Sequence, residues 1–161
     1  MVSFFPHPCP QLPDFRSMLV RGPYHPSAPV HLLLSHGFEN PEDKAVLLTP
    51  HRESFRNALI ELNDRWLELH SGNGRSSGAA QRTQMFYPPT LAHLGLTLSM
   101  LHEYDDTLHH RKATLEAAPT LLVLHEPSAY FSAETTQATV SAYLSVVSSA
   151  LALTSSWSPR R

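Results

Sequence analysis

The chain has 161 residues, a formal charge of −2 with histidines neutral, 14 prolines, 6 glycines and one cysteine. This length is enough for one domain with a buried core, and 42% apolar with only 16% charged residues excludes wholesale disorder. Cys9 alone cannot form an intrachain disulfide or a multi-cysteine zinc site. The net charge is near zero, so the chain does not have the excess of Lys and Arg with which free-standing nucleic-acid binders neutralise phosphate groups.

The first predicted elements follow an irregular, proline-rich arm at residues 1–29. Residues 30–34 and 45–48 are short apolar runs, which is typical of strands buried on both faces of a parallel sheet. Only ten residues separate these runs, and a parallel crossover usually needs a dozen or more. The two strands therefore either pair as an antiparallel hairpin or have lost a connecting helix.

Helical spacing dominates the middle of the chain. Thr49 and Pro50 can begin a helix whose apolar residues recur every three or four positions up to Leu69. Residues 71–80 are rich in Gly and Ser and predict an insertion with nothing to pack. Residues 82–87 predict a third strand, followed by a leucine-spaced helix at 91–101 and a polar, partly helical stretch at 102–118.

A fourth strand is predicted at residues 120–124, and a final helix precedes a basic tail at 158–161. No charged residue occurs between Glu134 and Arg160, so a tail anchor is the alternative to a packed helix. The many serines favour a packed amphipathic helix, because they lower the gain from burial in lipid. The face expected to be buried consists of Val140, Tyr143, Leu144, Val147 and Leu151.

Alternation of strands and helices is typical of an α/β fold. We therefore expect a single domain at residues 30–157, with a three-layer, mostly parallel sheet, flanking helices and the Gly/Ser insertion at 71–80. The arm and the basic tail lie outside this domain.

A phosphate-binding loop would have to follow the first predicted strand, and its pattern is missing there. Such a loop needs GxxxxGK[ST], because backbone amides and a lysine surround the phosphates. Residues 35–44 contain a single glycine, Gly37, a separate Lys44 and three carboxylates that would repel phosphate. Nucleotide hydrolysis at this position is therefore not expected.

A truncated α/β-hydrolase is the enzymatic alternative. His36 and Gly37 resemble an oxyanion turn, and residues 74–78 (GRSSG) match the GxSxG pattern around a nucleophilic Ser76. That serine should lie on a sharp turn between a buried strand and a helix, whereas here it lies in a Gly/Ser-rich stretch. The context therefore favours a linker over a nucleophile.

Eleven histidines also raise the question of a metal site. The densest group is His102, Glu103, His109 and His110, and no HExxH or comparable spacing occurs. We therefore expect no metal ligands and no cofactor.

Three segments together resemble a known family. They are residues 45–49 (AVLLT) before a helix, residues 82–90 (RTQMFYPPT) before a leucine helix, and residues 121–131 (LLVLHEPSAYF). In this order they resemble the small RecA-like subunit of Shu-type complexes, the recombinase paralogue that partners a SWIM zinc-finger protein in homologous recombination. The resemblance covers residues 30–153 and implies a truncated RecA-like core.

The resemblance also implies that the nucleotide site has degenerated. In RecA-like ATPases the apolar strand ends in an aspartate that helps to hold Mg²⁺, and here His125 and Glu126 stand at that point. With Gly37 and Lys44 in place of a phosphate loop, the resemblance implies a non-catalytic pseudo-ATPase.

Partner binding is the function that such a core would retain. The resemblance implies a nuclear accessory protein in DNA repair that joins a SWIM-type protein or a recombinase paralogue, contacts DNA weakly or indirectly, and has no membrane attachment. The sheet edge and the last helix are the natural contact sites, because both leave backbone groups or apolar area in water. The candidate residues are Tyr130, Phe131, Tyr143, Val147 and Leu151.

Overall fold

The computed structural model describes residues 2–6, 8–101, 115, 117–132 and 139–157. The described elements alternate between helices and short strands. In chain order they are α1 (Ala28–Glu39), β1 (Ala45–Leu48), α2 (Arg52–Leu62), α3 (Arg65–His70), α4 (Gly74–Gln81), β2 (Thr83–Phe86), α5 (Leu91–Met100), β3 (Leu121–Leu124), α6 (Ala129–Ser132) and α7 (Val140–Trp157).

The three described strands form one parallel sheet in the order β2-β1-β3, flanked by helices. The register of β1 on β2 follows from two hydrogen bonds. The N–H of Ala45 donates to the carbonyl of Arg82, and the N–H of Thr49 donates to that of Phe86, each at 3.1 Å. Both strands advance by four residues between these two hydrogen bonds, so they run in the same direction. The α/β class expected from the sequence is confirmed.

The chain forms two compact units, and the division runs through β1 and β2. One unit comprises Met1–Ala45 and Arg52–Gln84, and the other comprises Val46–His51 and Met85–Arg161. In the second unit, residues 46–48 of β1 are buried and α5 packs against α7. The core residues there are Val46, Leu48, Leu94, Leu98, Leu101, Leu115, Val146 and Ala150.

In the first unit, α1 packs against α4 at an unusually close crossing. A Cβ added to Gly37 of α1 would lie 2.8 Å from the Cβ of Ala79, which is closer than real Cβ atoms approach. Arg82 supports this crossing, because its Nη2 donates to the carbonyl of Gly37 at 3.2 Å. Glycine at position 37 therefore serves helix packing.

The prediction of a strand at residues 30–34 is wrong, because this segment lies inside α1. A short apolar run is equally compatible with a buried helix, and Pro29 suits a first helical turn, where its missing N–H costs nothing. Eight residues of α1 are buried. The question of how residues 30–34 pair with β1 therefore does not arise.

Two further predictions are corrected. The stretch 71–80 is not a free insertion, since most of it forms α4, capped by the side chain of Asn73 and buried at Ser76 and Ala79. The single helix expected from Thr49 to Leu69 is two helices, because Asn63 has a φ of 43° and Asp64 caps α3 anew. Small residues in α4 allow the close approach of α1, which outweighs their weak helix propensity.

The strands at 82–87 and 120–124 and the helix at 91–101 are confirmed within one or two residues as β2, β3 and α5. The polar stretch at 102–118 lies almost entirely outside the described residues, and so does the basic tail at 158–161.

The predicted buried face of the last helix is also wrong. Helix α7 buries Val146 and Ala150, with Leu153 and Trp157 packed against the core. Val140, Leu144 and Leu151 are exposed instead. The helix carries two apolar stripes, and the pattern alone does not say which one meets α5.

Candidate functional site

The carboxyl end of the sheet is where an α/β protein usually holds its ligand. Two polar residues follow the strands at this end, Thr49 after β1 and His125 after β3. Both are buried, and the N–H of His125 donates to the carbonyl of Leu48 at 2.8 Å. The imidazole Nδ1 of His125 lies 2.9 Å from Oγ1 of Thr49. At this end of the sheet the two side chains therefore bond to each other.

Burial lowers the pKa of His125, and the nearby Glu126 carboxylate only partly opposes that effect. The environment therefore favours the neutral imidazole. Mg²⁺ prefers oxygen ligands, chiefly carboxylates, and neither the buried imidazole nor the threonine bonded to it is a carboxylate. The chemistry at the end of β3 is thus poorly suited to a magnesium nucleotide.

Glu126 has a left-handed backbone, with a φ of 49°, and its side chain is exposed. This conformation favours glycine and costs a residue with a Cβ about 1 kcal/mol or more. The turn sends the chain from β3 into α6.

The aromatic residues predicted to bind a partner make contacts within their own unit. The hydroxyl of Tyr130 donates to the carbonyl of Pro88 at 2.8 Å, and burial raises the pKa of this tyrosine to about 12. The rings of Phe131 and Tyr143 meet edge to face, with centroids 5.5 Å apart. Part of each ring is already used to hold α6 in place.

The exposed surface of α7 is the more open candidate. Val140, Leu144 and Leu151 are 76%, 56% and 48% exposed, and the half-buried Val147 lies between them. Their spacing of four, three and four residues places them in one stripe along the helix. We call these four residues the α7 stripe. No charged residue occurs between positions 139 and 157.

Helix α7 is also, among the helices that the structure describes, the one whose length and apolar composition would allow it to cross a membrane. Core helices of soluble proteins pass the same test, although little of α7 is buried. Exposed serines run along a further side of the helix at positions 141, 145, 148, 149, 155 and 156.

The remaining predicted site residues lie in the first unit. Gly37 is inside α1 and Lys44 directly precedes β1, so the segment between them is partly helical and does not form a glycine-rich loop. Ser76 is 5% exposed inside α4, so it has neither the turn nor the exposure of a nucleophile elbow.

One polar cluster in this unit, centred on Asp64 and His31, was not predicted from the sequence. Their side chains are joined at 2.7 Å across 33 residues of sequence. The only local signal is Asp64 itself, two residues before Trp66, because aspartate is a common N-cap. The apolar periodicity continues past this position and therefore predicts one long helix without a new N-cap. Within the described residues, no three His, Cys, Asp or Glu side chains converge on a metal position.

Comparison with known proteins gives no assignment. No family model matches the chain, and neither a curated protein nor a solved structure matches it significantly.

Proposed function

We propose that the chain is a non-catalytic, RecA-like accessory subunit that acts in recombinational DNA repair through protein partners. The observation that carries the proposal is the α7 stripe, an apolar surface on a helix that packs into the core by another side. Contiguous exposed apolar surface of this kind marks sites of protein association. The partner that the resemblance implies is a SWIM-type zinc-finger protein or a recombinase paralogue.

The sheet supports a shortened RecA-like core. That interpretation requires the strands at 45–48 and 120–124 to run parallel in one sheet, and β1 and β3 are parallel neighbours. Two observations support the proposed loss of the nucleotide-binding site. Residues 49–51 join the first strand, β1, to α2 and contain neither glycine nor lysine, and His125 is bonded to Thr49 where a magnesium-binding carboxylate would be needed.

Binding of a labelled ATP analogue to the purified chain tests the loss of the nucleotide site. We expect no saturable, magnesium-dependent binding up to millimolar concentration. Binding in the micromolar range would overturn the pseudo-ATPase proposal.

Co-purification with the SWIM-type or recombinase-paralogue partner, co-expressed with the chain, tests the role. The double variant Leu144→Ser/Leu151→Ser removes two leucines from the α7 stripe. Burying one leucine contributes about 1.5–3 kcal/mol, so we expect at least about 100-fold weaker binding. The variant should fold normally, because both side chains are exposed in the free chain.

Leu62→Ser/Leu69→Ser is the matched control, since these leucines are also exposed and also seven residues apart. It should bind the partner as the wild type does. If both double variants bind the partner equally well, the α7 stripe is not part of the interface. Binding of wild type, but not of Leu144→Ser/Leu151→Ser, to neutral phosphatidylcholine vesicles would instead favour the tail-anchored alternative.

The α/β-hydrolase alternative predicts turnover of a p-nitrophenyl ester that is lost in Ser76→Ala. We expect no such turnover, because Ser76 is buried inside α4. Ester hydrolysis that depends on this serine would reverse the non-catalytic assignment.

A further inference from the structure

The first unit contains a pocket of about 330 Å³ that has no part in the proposed role in repair. This volume lies at the lower end of the range for small-ligand sites. The N-terminal arm, α1, α3 and α4 all contribute to its walls. The lining includes Phe5, Cys9, His31, Phe38, Trp66 and Arg75.

One polar group in this lining is both buried and rigidly held. His31 is 3% exposed, and its Nε2 lies 2.7 Å from Oδ2 of Asp64. The same carboxylate accepts hydrogen bonds from Oγ of Ser27 at 2.6 Å and from the N–H groups of Trp66 and Leu67 at 3.0 and 3.1 Å. Four donors therefore fix Asp64, and Asp64 fixes the imidazole.

The protonation of Asp64 decides which nitrogen of His31 carries hydrogen. Partial burial acts to raise the pKa of Asp64, but the hydrogen bonds from Ser27 and His31 outweigh it and hold the pKa at about 2. An ionised carboxylate only accepts, so Nε2 of His31 must donate to it. In the neutral ring Nδ1 is then an acceptor with a free lone pair.

This Nδ1 has no hydrogen-bond partner among the described residues. His31 lines the pocket and its Nε2 is engaged by Asp64, so Nδ1 is the ring nitrogen that remains for a ligand there. Nδ1 is not one of the fully buried polar atoms that lack a partner, so water can reach it, and a donor bound in the pocket would replace that water.

The walls around this acceptor are aromatic. The ring centroid of Phe5 lies 5.6 Å from that of His31, and Trp66 meets His31 edge to face at 5.2 Å. The guanidinium of Arg75 lies 4.6 Å above the centroid of Phe38 and helps to fix that ring. Rings at these distances and angles suit stacking or edge contacts with another flat ring.

We propose that the pocket binds a flat aromatic ring with one hydrogen-bond donor, a phenol or an indole, whose O–H or N–H is accepted by Nδ1 of His31. The ring belongs to a free small molecule or to an aromatic side chain of a peptide. This inference does not depend on the proposed role in repair.

Cys9 provides the readout, because it lines the pocket and is the single cysteine of the chain. Iodoacetamide alkylation of this thiol is followed by intact-protein mass spectrometry with p-cresol or toluene present. We expect p-cresol to slow alkylation saturably, with at least fivefold higher apparent affinity than toluene, which lacks the donor. N-acetyltyrosinamide will protect Cys9 equally well if the ring comes from a peptide, and poorly if it comes from a free molecule.

His31→Gln tests the acceptor, since a glutamine amide can still donate to Asp64 but does not place its own acceptor, Oε1, at the position of Nδ1. We expect this variant to lose the preference for p-cresol over toluene. His70→Gln is the control, because His70 stacks on Trp66 outside the pocket lining and should leave the preference intact. Equal protection by both probes in the wild type, no protection by either, or an unchanged preference in His31→Gln would overturn the proposal. The wild-type comparison decides even if His31→Gln fails to fold.

Discussion

His125 Nδ1 lies 2.9 Å from Thr49 Oγ1, so the residue that follows β3 is bonded to the residue that follows β1. Both residues are buried, and the N–H of His125 also donates to the carbonyl of Leu48. The end of the sheet is thus closed by side chains that stabilise it, at a position where many α/β proteins bind ligands.

Thr49→Val should destabilise the protein by about 1–3 kcal/mol, because valine keeps the shape of threonine but removes the partner of a buried imidazole nitrogen. Thr49→Ser keeps the hydroxyl and should lose less. Urea unfolding followed by circular dichroism measures both. A Thr49→Val protein as stable as the wild type would show that the contact contributes nothing.

The buried imidazole of His125 should also make stability depend on pH. Its pKa is lowered by burial in the folded state, so the unfolded chain takes up the proton first as the pH falls. Stability is then fully present above about pH 6.5 and decreases below it. His36, whose pKa burial also lowers, against the effect of Asp43, acts with the same sign.

His125→Gln should therefore flatten, but not abolish, the loss of stability between pH 7 and pH 5. His51→Gln is a control at an exposed histidine and should leave the slope unchanged. Urea midpoints across this range provide the measurement. An unchanged slope in His125→Gln would mean that this histidine does not titrate on unfolding.

Two glycine substitutions should have opposite effects. Gly37→Ala places a Cβ 2.8 Å from that of Ala79, and the resulting strain of about 1–3 kcal/mol exceeds the helix-propensity gain of about 1 kcal/mol. Gly95→Ala in α5 meets nothing within 4 Å, so it should stabilise by about 0.5–1 kcal/mol.

The same experiment has an internal check. Ala79→Gly removes the opposing Cβ, so it should recover part of the loss when combined with Gly37→Ala. Thermal midpoints of the four variants suffice. Two stabilising single glycine-to-alanine changes would contradict the close crossing of α1 and α4.

Acid unfolding should report on Asp64. Its pKa is held at about 2 in the folded chain against an ordinary value of 3.8, so its contribution to stability is present above about pH 3.8 and is lost between there and pH 2. Asp64→Asn should flatten the stability profile in this range, whereas Asp14→Asn, at an exposed position, should not. Identical profiles of stability against pH for the two variants would show that the ionisation of Asp64 does not contribute to stability.

Local patterns were sufficient for β1, β2, β3 and α5, because short apolar runs and leucine spacing determine these elements. They failed for α1, since a run of four apolar residues and one histidine fits a buried helix as well as a strand. They failed for α4 because its stability depends on the distant Gly37, which lets α1 approach. In both cases tertiary packing decided the local structure.

The polar contacts were harder to predict than the elements. His31 and Asp64 are 33 residues apart, and Thr49 and His125 are 76 apart, so no local spacing links either pair. The proposed resemblance drew attention to His125, because RecA-like ATPases are expected to have an aspartate there. It could not show that the imidazole is bonded to Thr49, because that depends on the parallel pairing of β1 and β3.

The α7 stripe has a consequence for the life of the protein in the cell. A chain that presents Val140, Leu144 and Leu151 to water offers chaperones and proteases an exposed apolar segment. Under the proposed role as an accessory subunit, we therefore expect its abundance to follow that of its partner. Depleting the partner should shorten its half-life, and Leu144→Ser/Leu151→Ser should lengthen the half-life of the unassembled chain.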